Sequence, residues 1–115
     1  MKTEYFVRAS APVRVSYQDD GRFHGDRYDL EVTVASTELD RDGFVMDFER
    51  LQRVVHGIRD RLEAGPLNEM LDGTFDPQKL LNVICDMVEP ALKPGLKVRR
   101  VRLDGAGEGF ICELD

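Results

Sequence analysis

His24-Gly25-Asp26-Arg27-Tyr28-Asp29-Leu30-Glu31-Val32-Thr33-Val34-Ala35 is the clearest strand signal in the chain. From Tyr28 onward, Tyr28, Leu30, Val32 and Val34 alternate with Asp29, Glu31, Thr33 and Ala35. A period of two sets the apolar residues against a core and leaves the other face largely polar. At the head of the strand, His24 and Asp26 stand two residues apart. On an extended chain such residues point to one face, so one imidazole and one carboxylate can reach a common ligand.

Upstream, residues 3–17 read as a first strand, with Pro12 suited to an edge or a bulge because it cannot donate to a ladder. Gln18-Asp19-Asp20-Gly21-Arg22 reads as the turn between the two strands. Downstream, Leu39-Asp40-Arg41-Asp42-Gly43 is a second turn, and Asp47 is placed to cap a helix. Phe48, Leu51, Val55, Ile58 and Leu62 recur at steps of three and four, the stripe of an amphipathic helix that ends at Gly65-Pro66. A second helix opens with Asp76 as cap and Pro77 at its first position. Its buried side is Leu80, Leu81, Ile84, Met87 and Val88, with Cys85 beside them, and Pro90 marks its approaching end.

Leu96, Val98, Val101 and Leu103 form a third strand whose alternation breaks at Arg99-Arg100. Gly105-Ala106-Gly107 turns it into a fourth, carrying Phe110, Cys112 and Leu114. The order strand, strand, helix, helix, strand, strand predicts an α+β domain: a four-stranded antiparallel sheet with two helices on one face. Such a sheet leaves its other face and its edges open, and closing several sheets into a ring would cover them.

The 115 residues allow one domain, spanning 1–115. A formal net charge of -6 argues against nucleic acid, since phosphates reward clustered Lys and Arg. No apolar run approaches the roughly 20 residues that a membrane span needs, and no signal peptide is visible. Cys85 and Cys112 lie in apolar surroundings without metal or disulfide spacing. Both read as buried, reduced packing residues of a cytoplasmic chain.

This order and four local matches resemble the 6-pyruvoyl-tetrahydropterin synthase family, including the bacterial 6-carboxytetrahydropterin synthases. Ala9-Ser10-Ala11 is similar to the first-strand signature that ends in a zinc histidine. His24-Gly25-Asp26 before Tyr28 is similar to a zinc-binding His-Gly-His. Gly43-Phe44-Val45-Met46-Asp47-Phe48 matches the Gly-hydrophobic-Asp-Phe start of the first helix. Leu62-Glu63-Ala64-Gly65-Pro66-Leu67-Asn68 matches the Leu-Asp-His-x-x-Leu-Asn segment. The resemblance implies the tunnelling fold, assembly as a homohexamer (a dimer of trimers), and sites between subunits.

The same resemblance locates the losses. The three zinc positions fall on Ala11, His24 and Asp26, and one His with one Asp is short of the three protein ligands of a catalytic zinc. His56, midway along the first helix, reads as a helix-flank residue. The turn 18–23 lacks the family's cysteine, and Glu63-Ala64 replaces its Asp-His pair. Asp20 and Glu63 read as turn and helix-end solvation. The strand position of the pterin-holding glutamate falls on Leu103, with Asp104 presented if the register shifts by one and Glu108 across the turn. Asp76 and Gln78 match the segment lining the pterin end, although Asp76 also serves as a plain cap.

The expectation is therefore a family member with no metal, no cofactor and no catalytic residue of the parent synthase. A pterin-like or purine-like heterocycle would be held by His24, Asp26, Asp76, Gln78, Asp104 and Glu108. Two alternatives stay open. One is a metal-free enzyme using His24, Asp26, Asp20 and Glu63 on a pterin-like substrate. The other is a purely structural or interaction protein.

Overall fold

The computed structural model describes residues 1–114. Strands β1 (Tyr5–Asp19), β2 (Arg22–Ser36), β3 (Lys97–Asp104) and β4 (Gly109–Glu113) form one antiparallel sheet in chain order. Helices α1 (Phe48–Glu63), α2 (Leu67–Met70) and α3 (Pro77–Val88) occupy the long connection between β2 and β3. A single 3-10 turn, Glu89–Ala91, follows α3 where Pro90 was expected to end it.

The β1–β2 turn is tighter than the five-residue turn read from the sequence. Asp20 and Gly21 alone make it, at φ values of 49° and 76°. Two left-handed residues in succession define a type I′ hairpin turn, which matches strand twist and favours Asp-Gly. This turn locks the register, so Tyr17 faces His24, Val15 faces Asp26 and Ala11 faces Leu30.

Strand β3 pairs with β2 only from Asp29 to Ala35. The preceding part of β2, with its β1 partner, projects as a two-stranded ribbon, and the molecule measures 52 × 27 × 25 Å. The break at Arg99-Arg100 is a bulge: Thr33 pairs with Arg100 and the next residue, Val34, with Val98. The extra residue lets Val98 and Val101, three apart, both face the helices.

One core lies between sheet and helices. Leu30, Val32, Val34, Leu51, Val55, Leu62, Leu80, Ile84, Val88, Val101 and Leu103 are fully buried in it. Each such leucine or isoleucine contributes about 1.5–3 kcal/mol relative to exposure. Asp47 caps α1 by accepting from the Glu49 amide, and Asp76 caps α3 by accepting from the Gln78 amide.

Several expectations need correction. The helical stripe keeps Leu51, Val55, Ile58 and Leu62, but Phe48 is 52% exposed and lines an open groove with Phe6 and Phe44. Met87 is half-buried, and so is Cys112, which lies on the short edge strand β4 where one side has no neighbour. Helix α2 was not foreseen: one turn is too short to show periodicity. The last loop runs from Gly105 to Glu108, one residue longer than the expected turn, and closes with the Gly105 amide donating to the Glu108 carbonyl at 2.8 Å.

Pro12 lies on an edge strand, as expected, and that edge is covered by side chains. The Ser10 carbonyl accepts from Gln52 Nε2 at 2.8 Å, and the Arg14 amide donates to Glu63 Oε2 at 2.7 Å. The Gln18 amide donates to Asn68 Oδ1 at 2.6 Å, and Asn68 Nδ2 donates back to the Gln18 and Gly73 carbonyls. These bonds satisfy main-chain groups that would otherwise invite another strand.

Candidate functional site

The projecting ribbon gathers aromatic rings and carboxylates on its helix-side face. Tyr17 stacks on its cross-strand partner His24, with centroids 5.1 Å apart and planes 19° from parallel. Phe75, from the loop before α3, stacks on Tyr17 at 4.3 Å and 14°. The Tyr17 hydroxyl donates to Asp26 Oδ2 at 3.2 Å. Farther along the ribbon, the buried Tyr28 ring lies 5.9 Å from Phe110.

The electrostatics of this end are acidic. Burial and then the Asp26 charge push the Tyr17 phenol above its ordinary range. Burial, with smaller contributions from Asp26, Tyr17 and Glu108, pushes Tyr28 up to about 12. Both phenols thus stay protonated and able to donate near neutral pH. Among the described residues, neither Asp26 nor Glu108 makes an ion pair.

Gly105 sets the shape of the corner. A Cβ there would meet the Glu108 carbonyl at 2.7 Å and the Tyr28 ring at 3.0 Å. Only glycine lets the loop pass so close to that ring and present Glu108 beside it.

The structure therefore brings His24, Asp26 and Glu108 to one end of the molecule. Asp76 sits next to Phe75, but its carboxylate accepts from the Gln78 amide at 2.9 Å, the capping role. The Gln78 side chain donates to Asn82 along α3. Asp104 is elsewhere: Leu103 pairs with Leu30 in the core, so Asp104 faces the opposite side of the sheet, 3.5 Å from Arg102. The register that would present Asp104 to the helix side is not adopted, because burying Leu103 decides it. Glu63 holds the β1 edge, and His56 pairs with Gln52 on the flank of α1 at 2.8 Å.

Tyr17, Tyr28 and Phe75 were missed. Tyr17 was recoverable, since a two-residue Asp20-Gly21 turn places it opposite His24. Phe75 reaches the ribbon through a loop, which no periodicity reveals.

The residues do not fit the three-histidine zinc centre that the resemblance implies. Ala11 has no donor, and it lies four positions from Val15, the partner of Asp26, roughly 13 Å at ~3.3 Å per residue. Asp26 already accepts the Tyr17 hydroxyl. Among the described residues, no group of three or more His, Cys, Asp or Glu is gathered so as to hold a metal ion.

A four-stranded meander backed by helices on one face is a tunnelling-fold domain, and the comparisons agree. The 6-pyruvoyl tetrahydropterin synthase family profile matches residues 2–107, and the chain belongs to that family. It is 31% identical over 117 residues to a dihydroneopterin monophosphate aldolase of Pyrococcus furiosus, covering 100% of this chain and 99% of that one. It is 31% identical over 83 residues to a putative 6-carboxy-5,6,7,8-tetrahydropterin synthase of Archaeoglobus fulgidus, covering 72% and 68%. The 6-pyruvoyl tetrahydropterin synthase of Caenorhabditis elegans superposes with a TM-score of 0.77 over 98% of this chain and 97% of its own, at 14% identity. That likeness speaks for the fold.

Proposed function

We propose that this chain binds a reduced pterin or a closely similar amino-pyrimidine heterocycle at the ribbon end, without the zinc-dependent chemistry of the parent synthase. The observation that carries this reading is the Tyr17–Asp26 hydrogen bond inside the His24–Tyr17–Phe75 stack. It occupies the place where the resemblance implies a zinc ligand. An amino-pyrimidine edge offers N–H donors, which suit Asp26 and Glu108, and its ring offers a face for stacking.

A second reading is favoured by the full-length similarity to the P. furiosus aldolase. Retro-aldol cleavage of a dihydroneopterin-type side chain breaks the bond between its first two carbons. A base takes the proton of the second hydroxyl, whose carbon leaves as an aldehyde. The electron pair moves into the ring imine, and an acid supplies the proton that restores the hydroxymethyl pterin. Asp26 and Glu108 are the carboxylates, and Tyr17 the phenol, available for those transfers.

The open edges of the sheet suit a site shared between copies. The ribbon half of the β1 edge is covered by α1 and α2, which leaves residues 5–9 and strand β4 as the open edges. Both carry exposed apolar residues, Tyr5 and Phe6 on one and Ile111 on the other. A groove of about 740 Å³ lined by Phe6, Phe44 and Phe48 adjoins the β1 edge. Joining β4 of one copy to residues 5–9 of the next would close rings, with the trimer and its stacked hexamer as the family arrangement. No described helix is long and apolar enough to cross a membrane, and free thiols at Cys85 and Cys112 suit a cytoplasmic setting.

The test is product analysis after incubation with 7,8-dihydroneopterin triphosphate and, separately, the monophosphate, with and without added zinc. Saturable binding without a pyruvoyl or carboxy product supports the first reading. A hydroxymethyl pterin with a phosphorylated two-carbon aldehyde establishes the second. Zinc-dependent synthase product overturns both.

A further inference from the structure

Arg8, Thr33, Arg100 and Glu113 form one row across all four strands. The adjacent row, Ala9, Val32, Val101 and Cys112, faces the helices, so the Arg8 row faces away from them. A cavity of about 260 Å³ opens on this side, lined by Glu4, Phe6, Arg8, Thr33, Arg99, Arg100 and Glu113.

Among the described residues, one buried donor lacks an acceptor here, and an exposed cation without an ion pair stands beside it. The Arg100 guanidinium reaches Glu31 through Nη2 at 3.2 Å and Glu113 through Nη1 at 3.7 Å, while its Nε is buried with no partner. An orphaned buried donor is costly, more so when it is charged. Arg8, in the same cavity, makes no ion pair among the described residues, and its guanidinium lies 5.5 Å from the Phe6 ring. The nearby Glu4 is already engaged by Lys97 at 3.4 Å and Arg99 at 3.1 Å. A water would serve Arg100 Nε alone, whereas an oxyanion would serve that donor and the solvent-facing Arg8 guanidinium together.

We propose that this cavity binds a small oxyanion, the carboxylate or phosphate group of a metabolite, between Arg8 and Arg100 Nε beside Thr33. A guanidinium fork suits either group, since both present paired oxygens. The site is independent of the heterocycle reading: Arg8 lies seven positions from Val15 on β1, roughly 23 Å at ~3.3 Å per residue, on the other face.

The experiment follows the Arg100 Nε–H resonance of the full chain during separate titrations with inorganic phosphate and acetate, at constant ionic strength and against chloride. A saturable shift with either anion, and none with chloride, is expected, and the responding anion identifies the source. Arg8→Gln, at an exposed position, should weaken that binding about tenfold or more. A response no different from chloride, or equal affinity in R8Q, overturns the proposal. The wild-type titration decides even if the variant folds poorly.

Discussion

The Tyr17 hydroxyl donates to Asp26 Oδ2 along a diagonal of the β1–β2 ribbon, because Tyr17 directly faces His24 and Asp26 faces Val15. Diagonal neighbours lie within reach of long side chains. Asp26→Asn removes a charge that raises the Tyr17 pKa. Titration of the Tyr17 ring by NMR should therefore show a lower value than in the wild type, still held up by burial. Stability should change by no more than about 1 kcal/mol, since the bond is exposed. An unchanged Tyr17 titration would remove the coupling.

Tyr28 gives a pH dependence with a definite sign. Its folded pKa of about 12 lies above the ordinary 10.0, because burial disfavours the phenolate. The unfolded chain thus releases this proton first, and stability falls as pH rises between those values. The contribution is fully present below pH 10 and is lost through about 12. Alkaline denaturation of Tyr28→Phe should be flatter across that window, measured by urea unfolding at stepped pH.

The covered edge of β1 predicts an order of effects. Asn68 makes three hydrogen bonds that tie α2 to the ribbon and to Gly73, whereas Glu63 makes one. Asn68→Ala should destabilise by roughly 2 kcal/mol and Glu63→Ala by roughly 1 kcal/mol. Hydrogen exchange at Gln18 should accelerate in the first variant and at Arg14 in the second. The opposite order would show that the edge is held by packing instead.

What could be read from residues alone was local. The alternation of β2, the caps at Asp47 and Asp76 and the α1 stripe from Leu51 to Leu62 each depend on residues a few positions apart. The break at Arg99-Arg100 was visible, but a bulge is a property of two strands, and Thr33 had to be paired before it had meaning. The site was half legible for the same reason. His24 and Asp26 share a face by strand parity, yet Tyr17 joins them only through the register that Asp20-Gly21 imposes, and Phe75 only through tertiary packing. Asp104 lies on the face away from the helices, and Ala11 beside Leu30, because burial of Leu103 and Leu30 sets the register.

Gly105→Ala tests how the corner is built. Its Cβ would overlap the Glu108 carbonyl at 2.7 Å and press on Tyr28 at 3.0 Å. A loss of about 1–3 kcal/mol is expected from the forced shift, together with a displaced Tyr28 ring signal. A variant as stable as the wild type would mean that the loop moves freely.

The most direct measurement is a binding titration of a reduced pterin, such as 7,8-dihydroneopterin, to the full chain with and without a strong chelator. The predicted result is saturable binding that the chelator leaves unchanged and that Asp26→Asn weakens by about tenfold or more. Binding that vanishes with the chelator and returns with zinc would contradict a site built on Tyr17 and Asp26.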